Sequence, residues 1–148
     1  MPFEGGPFLQ AGCLVENVIE EKTGVLSLIR IIDTVTRTLA SPDPPEDLPP
    51  FPYTIKLVLM FKSGMARGRS TIRVLPELPT GASLDPMTVT AHFEGEEKGQ
   101  NVVMNLALML THEGLYWFHV DVDGERLTSI PLRVKYDRIV AGASKPAP

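Results

Sequence analysis

The stretch Glu113–Val134, EGLYWFHVDVDGERLTSIPLRV, decides the fold. After Gly114, Tyr116, Phe118, Val120 and Val122 share one phase of a period-two pattern, while Leu115, Trp117, His119 and Asp121 share the other. Asp123-Gly124 is a two-residue hairpin signal, because the favoured turn needs positive φ at both central positions. The returning segment keeps Thr128, Ile130, Leu132, Val134 and Tyr136 in a single phase, so both strands set an apolar row against one core. Pro131 has no amide to donate to a ladder, which places its strand at an edge or gives it a bulge.

The same alternation recurs upstream. Tyr53, Ile55, Leu57, Leu59 and Phe61 form one row, and Ile72 and Val74 form another after SGMARG, which reads as a turn. Met87, Val89, Ala91 and Phe93 repeat the pattern, as do Val102, Met104, Leu106, Leu108 and Leu110. Nearer the start, FLQAGCLVENVIEE and VLSLIRIIDTVT are joined by EKTG, where Gly24 supplies the positive φ of a hairpin turn. The second of these, Val25–Val35, does not alternate cleanly, which calls for a bulge or burial on both faces. Helical periodicity is nearly absent. The pattern predicts an all-β protein, an antiparallel immunoglobulin-like β-sandwich of about eight strands.

Prolines dominate SPDPPEDLPPFP, residues 41–52, and fix it as a stiff connection that is neither helix nor central strand. Its PxxP spacings have acidic neighbours and no basic flank, so a structural crossover is expected rather than a docking peptide. A single domain is expected over residues 8–138, with a flexible N-terminus at 1–7 and a disordered tail at 139–148. The chain of 148 residues is 43% hydrophobic and 22% charged with a net charge of −4, which is ordinary for a soluble protein and unfavourable for broad nucleic-acid binding. Cys13 is the only cysteine, so no intramolecular disulfide is available. The opening MPFEGGPFLQAG lacks both a basic region and a long apolar run, so neither a signal peptide nor a membrane span is expected, and the cytoplasm is the expected compartment.

GLY at residues 114–116, with the tyrosine phased inward, resembles the corner of immunoglobulin-like sandwiches, where a tyrosine anchors the start of the penultimate strand. His112 stands where many such domains have aspartate, and Phe118 where antibody domains have the second cysteine, so the resemblance implies a relative without a disulfide. The wider order of EKTGVLSLIRIID, LPPFPYTIKLVLMF and the opening stretch, roughly residues 8–136, resembles a family of small bacterial proteins known only as a domain of unknown function. That resemblance implies a fold and no activity.

No catalytic, metal or cofactor signature emerges. DVDGE lacks the acidic series and distant glutamate of an EF-hand loop, and reads as a solvated hairpin tip. His92, His112, His119 and Cys13 fall in no zinc-ligand spacing, and no nucleophile elbow, P-loop or dinucleotide motif is present. Lys62, Arg67, Arg69 and Arg73 gather in one hairpin that could take an anion, although charged edges also guard sheets against aggregation.

Apolar residues in the outward phase are more telling. Val58, Met60, Val103, Met109, Leu115 and Trp117 all oppose the core rows, along with Ala107, and either the N-terminal segment or the proline-rich crossover covers them or they form an interface. The expected function is a non-catalytic protein-binding or assembly module in a bacterial cytoplasm, meeting a protein partner or a second copy through these residues, with Trp117 near Met60 and Met109. It requires no cofactor, nucleic acid or membrane. The alternatives are a small enzyme whose loop-assembled site uses His92, His112 or His119 as base, and a carbohydrate- or calcium-dependent binding module.

Overall fold

The structure is a computed structural model that describes residues 5–141. Its regular elements are seven strands, β1 (Phe8–Glu20), β2 (Leu26–Ile31), β3 (Thr34–Ser41), β4 (Phe51–Glu77), β5 (Met87–Leu110), β6 (Gly114–Val122) and β7 (Glu125–Val140), with no helix among the described residues. One hydrogen-bonded sheet runs in the order β2-β1-β4-β6-β7-β3, with β5 paired to β4. All pairings are antiparallel except β3 with β7, which is parallel and so departs from the expected pattern.

Seven strands stand where about eight were expected, because SGMARG does not reverse the chain. β4 continues through it, and the two segments expected flanking EEKG form one strand, β5. The β4–β5 ladder shifts register at Lys62/Gly64 and again at Gly64/Arg67. Gly64 and Gly68 on β4, and Gly95 and Glu96 on β5, take positive φ. Extra residues in a ladder bend and twist the strand, so the glycines serve a double bulge rather than a turn. At the bend, Ser63 is buried and its hydroxyl donates to the Lys98 carbonyl at 2.8 Å.

The bend exchanges the inward phase. Ile55, Leu57, Leu59 and Phe61 are buried before it, and Ile72 and Val74 after it. The first half of β4 lies between β1 and β5, and its end pairs with β6. An added Cβ at Gly12 would meet Ile130 of β7 and Leu59 of β4, each at 3.4 Å, so β1 faces β7 across the core. Tyr116, Phe118, Val120 and Val122 are buried as their phase predicts, together with Ile130, Leu132, Val134 and Tyr136. Phe61 meets Phe93 edge to face at 5.5 Å.

The irregular Val25–Val35 segment is two strands on different margins of the sheet. The Ile32 amide donates to the Leu14 carbonyl, and the Arg133 amide to the Asp33 carbonyl, so two consecutive residues carry the chain from the β1 side to β7. Arg30, at φ +56°, marks the kink. The EKTG hairpin forms as read, with the Gly24 amide donating to Glu21 at 2.9 Å and φ +86° at Gly24. At the Asp123-Gly124 turn both residues take positive φ, as a type I′ turn requires. Pro131 pairs with Trp117 on one side, while the β3 pairing begins only at Arg133, so this proline sits where β7 still has an open side.

The proline-rich crossover is pinned by the end of β7. Tyr136 Oη donates to the Pro45 carbonyl at 2.7 Å, and Arg138 to the Pro44 carbonyl at 2.8 Å. Within the crossover, Pro44 and Leu48 are buried, and Leu48 joins the core. Ile139 and Val140 are assigned to β7, Gly5 accepts from the Met65 amide, and Pro7 is buried. The remainder of the expected flexible start and tail, residues 1–4 and 142–148, lies outside the described residues.

Candidate functional site

The outward face of the first half of β4 and the second half of β5 carries most of the apolar residues singled out above. Strand register sets Val58 between Cys13 and Val103, Met60 between Ala11 and Asn101, and Met109 beside Pro52. Val58 has 0% of its surface exposed, so it is not available to a partner, contrary to expectation. It lies on a strand flanked on both sides, and the β1–β2 hairpin tip reaches across this face, where the Gly24 carbonyl accepts from Asn101 Nδ2 at 3.4 Å. Met60 is half-buried and lines a depression with Val25 and Leu26 of that hairpin. Val103 and Met109 remain open at 40% and 54%, and Ala107 between them is exposed. Of the residues singled out on this face, those left open are in the β5 row. On the inward side of the same strand, Met104 and Leu108 are only half-buried against the core.

Trp117 and Leu115 lie elsewhere. On β6 Trp117 pairs with Glu77 and Pro131, and Leu115 pairs with Arg133, whereas Met60 lies on β4 before the bend and Met109 pairs with Pro52 there. The expected cluster of Trp117 with Met60 and Met109 does not form, because the bend puts seventeen positions of β4 (Met60 to Glu77) between the two. Trp117 is half-buried and stacks on the His119 ring, with centroids 6.3 Å apart and planes 7° from parallel.

His119, in the outward phase of β6, is half-buried within this polar row. Its Nδ1 is 2.7 Å from Ser129 Oγ, and its Nε2 is 3.6 Å from a Glu77 carboxylate oxygen. An acid, an imidazole and a hydroxyl thus stand in line, but in reverse order to a hydrolytic triad, where the carboxylate orients Nδ1 and the nucleophile meets Nε2. Strand register accounts for the contact, since His119 and Ser129 are direct cross-strand partners. Counting outward from the Asp123-Gly124 turn would pair His119 with Thr128; the bulge between Val120 and Asp121 shifts the partner to Ser129. His92 is exposed on β5, and His112 is exposed in the turn before β6, its Nδ1 2.7 Å from Thr111 Oγ1. The three histidines do not converge. Among the described residues no group of three or more His, Cys, Asp or Glu side chains is placed to hold a metal ion.

The four basic residues are divided. Arg67 and Arg69 line one open depression with Asp123 and Glu125, so two carboxylates balance two cations. Arg67 also donates to the Glu94 carbonyl at 3.0 Å. Lys62 is on the far side of the bend, with Nζ 3.3 Å from the Glu97 carbonyl, and Arg73 pairs in register with Asp121. Cys13 is half-buried, and burial raises its thiol pKa above the ordinary value. No helix among the described residues is long and apolar enough to cross a membrane.

Seven strands bonded into one bent sheet around an apolar core, without a helix among the described residues, define an all-β protein. A family model matches residues 14–135, and the chain belongs to that family, DUF6941, a family of unknown function. No curated protein matches the chain. Among solved structures, an immunoglobulin-like protein from Pseudomonas aeruginosa is similar over 82% of this chain and 91% of its own, with 16% identity and a TM-score of 0.38. The alkylpurine DNA glycosylase AlkC of Pseudomonas fluorescens, bound to DNA containing an abasic-site analogue, is similar over 66% of this chain, with 15% identity and a TM-score of 0.44. This chain spans 27% of that glycosylase's length.

Proposed function

We propose that this protein is a non-catalytic assembly module of the bacterial cytoplasm, built as an immunoglobulin-like sandwich by folding the bent sheet on itself. The facing of Gly12 on β1 and Ile130 on β7 supports the sandwich, as does Tyr116, whose hydroxyl ties the start of the penultimate strand to the backbone before it. The observation that carries the functional reading is the exposed apolar row of Val103, Ala107 and Met109, which no other segment among the described residues hydrogen-bonds or pairs beyond β4. Apolar side chains gathered on one strand face gain most by removal from water against another protein.

Substituting Val103→Glu together with Met109→Glu tests this reading. Wild-type protein should sediment as an assembly, alone or with a protein of the source cell, and the variant should lose that assembly while keeping its circular dichroism. A wild-type chain that stays monomeric and holds no partner refutes it. The arrangement at His119 is the one feature that favours an enzyme, and any turnover abolished by His119→Ala with folding intact would replace the present reading.

A further inference from the structure

We infer that the open margin of β5 between Gly99 and Leu110 pairs antiparallel with the same margin of a second copy, joining two sheets into one. The inference rests on the assembly reading and names its partner. Along this stretch β5 pairs only with β4, so on its other side alternate amides and carbonyls lack a strand partner among the described residues. A row of unpaired backbone groups is a template for another strand, and proteins that remain single guard such rows with charge, proline, bulges or shortness.

The other margins carry those guards. β2 has six residues and a kink at Arg30, and β3 has eight with Arg37 within them. The first part of β5 presents His92 and Glu94 on its exposed row. By contrast GQNVVMNLALML, the twelve residues from Gly99 to Leu110, contains neither a charge nor a proline. Uncharged, apolar segments of high strand propensity are those that pair with their own kind.

The side chains specify a copy of this chain arranged about a two-fold axis perpendicular to the sheet. That operation runs the strands antiparallel and keeps each face on its own side. The outward Val103, Ala107 and Met109 then meet the same outward row, and the half-buried Met104 and Leu108 on the inward side extend one core into the other. Two-fold pairing sets the segment against a reversed copy of itself, and with no charge in it neither copy lays an unpaired charge against the other.

Sedimentation combined with amide hydrogen exchange on the intact chain tests the pairing. Dimers that dissociate on dilution, with the β5 amides pointing away from β4 protected in the dimer and exchanging at least about tenfold faster in the monomer, are the expected result. Ala107→Lys should raise the dissociation constant at least about tenfold, the effect of one unfavourable contact of ordinary size, and Trp117→Glu, on the other side of the bend, should leave it unchanged. A dimer whose outward β5 amides exchange as fast as in the monomer overturns the pairing but leaves the assembly reading standing. A chain that is monomeric by itself overturns the pairing as well, and the assembly reading then survives only if the chain captures a different protein through Val103 and Met109.

Discussion

The phenolic oxygen of Tyr116 accepts a hydrogen bond from the Thr111 amide at 2.9 Å, and a second from the His112 amide at 3.2 Å. The ring itself is buried, 1% exposed, at the start of β6. The contact closes the turn after β5 over the core, so local chain direction and core packing depend on one side chain. Tyr116→Phe keeps the ring and deletes the acceptor, leaving two partly buried amides without a partner. The expected loss is about 1–3 kcal/mol, read as a lower midpoint in urea with an unchanged slope.

Burial, not phase, governs the outward row of β4. Val58 and Thr54 share that phase, yet Val58 is fully covered and Thr54 is exposed. Val58→Asp should prevent stable folding, since an unpaired carboxylate there costs several kcal/mol. Thr54→Asp should change stability by no more than about 0.5 kcal/mol. Thermal melts of the two variants compare them directly, and equal melting temperatures would mean that Val58 is not covered in solution.

Cys13 gives a pH dependence with a definite sign. Burial disfavours its thiolate, so the folded chain holds this proton to a higher pH than the unfolded chain does. Below the unfolded thiol's pKa both states are neutral and nothing is lost; as pH rises from there through the folded value, stability falls. Alkylation with iodoacetamide should accordingly be slower in the folded protein than in urea at one pH, because the thiolate is the nucleophile. A folded-state rate equal to that of the unfolded chain would show that the thiol is not held back.

The core was legible in the sequence because alternation has a fixed period and buried rows cannot drift by one residue without exposing themselves. Tyr116 to Val122 and Ile130 to Tyr136 were read correctly for that reason. Gly64 and Gly68 were not, since positive φ serves a turn and a bulge alike, and only the pairing of Lys62 with Gly99 and of Arg67 with Glu94 shows that the chain continues. Val58 illustrates a second limit: phase tells which way a side chain leaves its sheet, but not whether that side is covered. The uncharged run from Gly99 to Leu110 was in plain view, yet it acquires meaning only once β5 is known to stand at a margin.

The parallel pairing of β3 with β7 matches Thr34 to Arg133 and Ser41 to Val140, uniting the first third of the chain with its last described strand. On the ribosome β3 therefore emerges long before its partner has been made, and it must wait with Val35 uncovered and its backbone bonds unfilled. The sheet closes only once β7 has also been made, so synthesis sets a lower bound on the time to its completion. Contacts this distant in sequence also slow refolding from denaturant. Synthesis of β7, rather than the emergence of any one hairpin, is the event that completes this sheet.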